Sequence, residues 1–135
     1  MAQTLPIRTR RFEVMIVDSR PQDYLHLAAS CAAVGGVLHI AASATDALRL
    51  RPNSVQCVWL VNTRLPDCAG SELLTALRTR NPRCVVYLVG DSYDPEDELA
   101  ARRCGAPMYL CKSATEPWLT LDDLPGWRLP EIQCA

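Results

Sequence analysis

Four short apolar runs of this chain end in polar groups that can act on charge. Val17 runs into Asp18-Ser19, Val61 into Asn62, Val89 into Gly90-Asp91, and Cys111 into Lys112-Ser113. Asp18 supplies a carboxylate and Lys112 an ammonium. At about 4 Å and an effective dielectric near 20, their attraction is on the order of 4 kcal/mol before desolvation. The other reactive groups are seven cysteines, Cys31, Cys57, Cys68, Cys84, Cys104, Cys111 and Cys134. They contain no C-x-x-C pair and no zinc-type spacing, and an odd number cannot all pair within one chain. We expect reduced thiols that mostly fill core space. Cys68 and Cys111 flank strand ends, but nothing beside them in sequence lowers a thiol pKa. His26 and His39 have no acid or serine at a catalytic spacing. Neither G-x-G-x-x-G nor a P-loop occurs, which ranks a nucleotide-binding enzyme last.

The elements that must carry these groups alternate. Strands are expected at Glu13–Asp18, Leu38–Ala42, Val55–Asn62, Cys84–Val89 and Met108–Cys111, with lengths and β-branched content that suit strands buried on both faces. Helical patterns lie between them. Gln22 to Val34 places Leu25, Ala28, Ala29, Ala32 and Val34 on one side before Gly35-Gly36. Thr45–Leu50 is short and stopped by Pro52, and Ser71–Arg80 carries Leu73, Leu74 and Leu77. Asp94-Pro95-Glu96-Asp97 is a helix start, with a capping acid, a proline suited to the first turn and carboxylates at the positive dipole end. The expected fold is α/β, a doubly wound five-stranded parallel sheet whose functional groups gather at the C-terminal ends of the strands.

The chain has 135 residues, which is one domain: an N-terminal arm over 1–11, a domain over 12–124 and a tail over 125–135. Hydrophobic residues at 49% and charged residues at 21% are globular proportions. Fourteen basic and fifteen acidic residues give a net charge of −1, which offers no general grip on nucleic acid or an anionic membrane and leaves a local basic patch open. No run is long enough to span a bilayer, and the arginines before Phe12 are followed by no signal-type apolar stretch, so the expected compartment is the cytoplasm.

Three motifs in order then carry a resemblance over about residues 12–120. Val17-Asp18-Ser19-Arg20-Pro21, Leu60-Val61-Asn62-Thr63-Arg64-Leu65-Pro66-Asp67-Cys68-Ala69-Gly70 and Gly105-Ala106-Pro107-Met108-Tyr109-Leu110-Cys111-Lys112-Ser113 resemble the receiver domain of two-component response regulators. The resemblance implies a flavodoxin-like strand order 2-1-3-4-5 and, in the family, phosphoryl transfer to a magnesium-bound aspartate. Asp18 matches one of two first-strand acids and Ser19 stands where the second would be. Asn62 stands at the phosphoacceptor, and an amide has no anionic oxygen to attack phosphorus. Val89, or Gly90 after a one-residue slip, stands at the hydroxyl position. Lys112 matches the lysine, and Tyr109 the aromatic residue whose rotation reports activation.

This implies a degenerate pocket with no catalytic residue, no cofactor, and weak or absent magnesium binding. Asp18 and Lys112 are read as a remnant ion pair, and Asn62 as a plug that satisfies both neighbours through its amide. Tyr109 and Trp118, with Trp127, are candidate anchors on the face of the fourth helix, fifth strand and fifth helix; a core role for either tryptophan is an equal alternative. The fifth helix is expected from Glu116 to about Leu124. We expect no output domain and no basic recognition helix, hence no direct DNA binding. The function so implied is a phosphorylation-independent module, not an enzyme, that binds a histidine kinase, a response regulator or another signalling protein. The alternatives are a phosphorelay carrier using Asp67 or Asp91, and a small α/β ligand-binding protein or enzyme.

Overall fold

A computed structural model describes residues 12–52, 56–113 and 118–124. The first strand, β1 (Phe12–Val17), is buried along its whole length, which places it inside the sheet. A 3-10 turn, Pro21–Tyr24, leads into α1 (Leu25–Ala33). There follow β2 (Val37–Ala41), α2 (Ala44–Ala47), β3 (Gln56–Asn62), α3 (Gly70–Arg80), β4 (Val85–Gly90), α4 (Pro95–Arg103) and β5 (Tyr109–Cys111). The five strands form one sheet in the order β2-β1-β3-β4-β5, and every pair is parallel. The parallel orientation is the one the run pattern predicts, and the order is the one the resemblance implies. The expected strand start at Val55, the arm 1–11, the tail 125–135 with Trp127, and the proposed helix start at Glu116 lie outside the described residues.

Alternation along β1 divides the core in two. Met15 and Val17 face α2, α3 and α4, packing with Ala44, Ala47, Leu73, Leu74, Leu77 and Ala101. Phe12, Val14 and Ile16 face α1 and the last described segment, packing with Tyr24, Leu27, Cys31, Leu119, Leu121 and Leu124. Side chains pointing to opposite faces of a strand require this division, and two buried faces explain the near-continuous apolar strands.

Two helical readings are corrected. The inward face of α1 is Leu27 and Cys31, joined by Tyr24 from the 3-10 turn before it, while Leu25 is 67% and Val34 52% exposed. Alanines at the same period look equally helical in sequence, but Tyr24 and Leu27 remove more apolar area from water and take the core side. Among the described residues, the expected fifth helix is a single 3-10 turn, Leu121–Asp123, closed by a capping box between Thr120 and Asp123. Leu119, Leu121 and Leu124 bury against the sheet without a longer helix. The start of α4 forms as expected, with the Asp94 carboxylate accepting from the Glu96 N–H. No described helix is long and apolar enough to cross a membrane.

Candidate functional site

Parallel register brings four strand ends to one edge. Val17 lies beside Val61, Asn62 beside Val89, and Gly90 beside Cys111. The residues at or just past these ends are Asp18, Asn62, Asp91 and Lys112. Asp18 is 1% and Asn62 3% exposed. A buried carboxylate must be paired and hydrogen-bonded, and Asp18 is. Its Oδ1 accepts the Arg20 backbone N–H at 2.9 Å. Its Oδ2 accepts the Tyr24 hydroxyl at 2.7 Å and Asn62 Nδ2 at 3.0 Å, and lies 3.0 Å from Lys112 Nζ.

The Asn62 amide spans the strand ends. Nδ2 donates to Asp18 and, at 3.0 Å, to Asp91 Oδ1, while Oδ1 accepts the Arg64 N–H at 2.8 Å. The opposite rotamer would set oxygen against oxygen, so the network selects this one. Gly70 opens α3 against the Asn62 carbonyl so closely that any side chain there would press into it. Lys112 Nζ lies 2.7 Å from Asp23 Oδ2 and 2.9 Å from Asp91 Oδ1, in addition to Asp18, which accounts for its three N–H donors.

The charges respond accordingly. Burial alone would depress the Lys112 ammonium, but hydrogen bonds to Asp23, Asp91 and Asp18 outweigh it and hold the pKa above the usual lysine value. The Lys112 hydrogen bond holds Asp23 and Asp91 below the usual aspartate value, with burial opposing in both. Burial, and then the Asp18 charge, pushes the Tyr24 phenol up. These side chains do not fit a divalent cation. The carboxylate nearest the sheet accepts four donors, and the groups facing it from Asn62 and Lys112 present hydrogens rather than lone pairs. No group of three or more His, Cys, Asp or Glu side chains suited to a metal occurs among the described residues.

The remaining expected site residues are dispersed. Ser19 is exposed. Val89 is fully buried in the core face toward α1 and offers no hydroxyl. Tyr109 is half-buried on the opposite face, where its hydroxyl accepts the Asp94 N–H at 3.2 Å and its ring lies 6.2 Å from Tyr93. Burial first, then Cys111, pushes the Tyr109 phenol up to about 12. Trp118 donates from Nε1 to the Asp23 carbonyl at 2.7 Å, and its ring lies 5.8 Å from Tyr24. Tyr109 and Trp118 thus flank the pocket from opposite faces of the sheet. Asp67 accepts the Ala44 and Thr45 N–H groups and the Thr45 hydroxyl, which commits it to the start of α2.

Asp23 and Tyr24 belong to the network although sequence reasoning left them out of the pocket. The signal for them is Pro21, whose fixed φ suits the 3-10 turn that folds both back over Asp18. A cleft of about 430 Å³ opens beside the network between Leu25, Asp23, Lys112 and Trp118. The six described cysteines are free thiols. Burial pushes Cys57 up to about 11 and also raises Cys31, Cys68 and Cys84, so these four are poor nucleophiles.

No family model matches the chain, and no curated protein matches it in sequence. Solved structures do. A receiver domain of an HD domain-containing protein from Pseudomonas fluorescens is 27% identical with a TM-score of 0.68, over 82% of this chain and 79% of that one. A CheY-like receiver domain protein from Methanospirillum hungatei is 24% identical with a TM-score of 0.67, over 78% and 84%. A response regulator from Burkholderia pseudomallei, solved with a phosphorylated aspartic acid, a calcium ion and citrate, is 20% identical with a TM-score of 0.68, over 92% and 71%. The fold of this chain is that of the response-regulator receiver domain.

Proposed function

We propose that the chain is a receiver-fold signalling module that binds a protein partner without being phosphorylated. The observation that supports this is Asn62, at the end of β3, where the resemblance puts the phosphoacceptor. Its amide donates to the two carboxylates beside it, and Lys112 is shared among three. An amide oxygen carries no charge for attack on phosphorus, and its neighbours leave no cation-shaped gap. In this reading the protein is not an enzyme, needs no cofactor, and binds magnesium weakly or not at all. Its partner is a histidine kinase, a response regulator or another signalling protein, and its compartment is the cytoplasm. Tyr109 and Trp118 are the aromatic candidates for contact.

The test is incubation with acetyl phosphate and magnesium, followed by intact mass under conditions that preserve acyl phosphates. The expected result is no added phosphoryl group. A stoichiometric gain, lost on Asp67→Asn or Asp91→Asn, would establish a carrier with a displaced acceptor instead.

A further inference from the structure

We propose that the end of the molecule opposite the acid–lysine network docks an acidic segment of a partner protein, gripped by arginines at the C-termini of α2, α3 and α4. Thirteen of the fourteen basic residues are arginine, and Lys112 is the single lysine. Helices that cross between parallel strands run back along the sheet, so their C-termini meet at the edge where the strands begin. Arg49 and Arg51 follow α2. Arg78 and Arg80 lie in the last turn of α3, with Arg83 just beyond, and Arg102 and Arg103 lie in the last turn of α4.

Two contacts join these ends into one surface. Arg80 Nη1 donates to the Leu48 carbonyl at 2.9 Å, tying α3 to α2. Arg78 Nη1 donates to the Cys104 carbonyl at 3.3 Å, tying α3 to α4. Arg51 Nη1 donates to the same Leu48 carbonyl at 2.7 Å. Two like-charged guanidiniums therefore share one acceptor, and neither forms an ion pair with a described carboxylate. Among the described residues, Arg49 pairs with Asp46 and Arg102 with Glu98, and no other member of this group has an acidic partner.

A cation in the last turn is favoured by the helix dipole, an effect that falls off beyond that turn. Here α2 is a single turn followed by two arginines, and α3 is followed by a third beyond its own two. The net charge of −1 conceals this segregation, because Asp91, Asp94, Glu96 and Asp97 cluster at the other end.

The chemistry favours a protein carboxylate partner. Guanidinium forks match carboxylates in a planar, bidentate way. The exposed aromatic among the described large hydrophobics, Tyr93, lies at the far end, so no described aromatic stands among the arginines as a platform for bases. The helices present their ends here rather than a flank that could enter a groove. Val85, at the start of β4, is exposed at this same edge and adds an apolar contact of the kind protein interfaces use. The surface is independent of the reading of Asn62 and of Tyr109 and Trp118.

The experiment is fluorescence anisotropy of the intact protein with a labelled peptide of glutamate and leucine. Duplex DNA of matched charge and phosphatidylserine vesicles are the competing probes. The expected result is peptide binding that weakens with salt, since exposed charges are screened. Arg51→Ala with Arg80→Ala should weaken it by about three- to tenfold. Arg83→Gln with Arg103→Gln should weaken it about as much; both side chains are exposed and make no hydrogen bond or ion pair with another described residue, and a urea melt of the same variant reports folding separately from binding. Arg64→Ala, at the other end, should change it by less than about twofold. Absence of peptide binding, equal loss with Arg64→Ala, or tighter binding to the duplex or the vesicles would each overturn the proposal.

Discussion

Replacing Asn62 with aspartate tests the network most directly. The Asn62 Nδ2 donates at 3.0 Å to both Asp18 Oδ2 and Asp91 Oδ1. In Asn62→Asp an anionic oxygen replaces that donor. Two hydrogen bonds to charged acceptors are lost, each worth about 1.5–3 kcal/mol. Repulsion is added against Asp18, which is 1% exposed; at about 3 Å and an effective dielectric near 20 it reaches about 5 kcal/mol before relaxation. The Asp91 side chain is 64% exposed, so solvent screens its share to about 1 kcal/mol or less. Rotation of Asp91 into solvent and a shift of Lys112 toward the new charge offset part of the rest. We expect a net loss of about 3–5 kcal/mol at pH 8, a large fraction of the roughly 5–15 kcal/mol typical of a domain. The new carboxyl should titrate above the usual aspartate value, because neighbouring carboxylates disfavour its charged form. The sign follows: the repulsive part of the penalty is fully present above that raised folded-state value and vanishes below the unfolded value of about 3.9, where the protonated carboxyl also restores one of the two donors. Urea denaturation of parent and variant at pH 8 and pH 4.5 measures it. Equal stability at pH 8 would refute the claim that the amide donates to two carboxylates.

Adding Ser19→Asp to Asn62→Asp should give a magnesium-induced rise in melting temperature larger than Asn62→Asp alone gives, because a ligand that binds only the folded form stabilises it; equal rises would count against the pocket assignment. Asp23 and Asp91 are held below their usual value, chiefly by Lys112. Their contribution to stability is therefore present above about pH 3.8 and lost as pH falls through the lowered values; a Lys112→Met variant should show a shallower acid loss in pH-dependent denaturation. A Cβ on Gly90 would lie 2.8 Å from the Tyr109 hydroxyl and 3.0 Å from the Ser92 carbonyl. Gly90→Ala should destabilise by about 1–3 kcal/mol, and by less in a Tyr109→Phe background; an undiminished cost would place the strain elsewhere.

The strand ends were legible because buried parallel strands are short apolar runs, and Asp18, Asn62 and Lys112 each follow one directly. Once the strand order is known, parallel register alone brings those three together. Asp23 and Tyr24 were not legible in the same way. They reach the pocket through a 3-10 turn, and local period does not distinguish that turn from the first turn of the helix that follows. The inward face of α1 was misread because alanine satisfies helical periodicity as well as Tyr24 or Leu27 while burying far less area. The last segment reads as a helix from its composition, yet Leu119, Leu121 and Leu124 find the core through one tight turn. The arginine surface is invisible along the chain, since its members are spread from 49 to 103 among acids. Only the topology gathers them.

The acid–lysine network also bears on whether the molecule can switch. A ligand shifts a conformational equilibrium only as far as it binds the two states differently. Here the chain supplies its own ligands. Lys112, just past β5, is tied to the end of β1 through Asp18, to the 3-10 turn through Asp23, and to the end of β4 through Asp91. Asn62 ties the end of β3 to the same two strand ends. Opening this arrangement for an incoming anion or cation means separating Lys112 from a carboxylate that is almost wholly buried. Leaving such a charge unpaired typically costs about 3–5 kcal/mol. A weak ligand cannot return that amount, so under the proposed reading the four strand ends hold one arrangement, and partner binding should be insensitive to magnesium and to acetyl phosphate; calorimetry in which either addition changes the affinity would refute this.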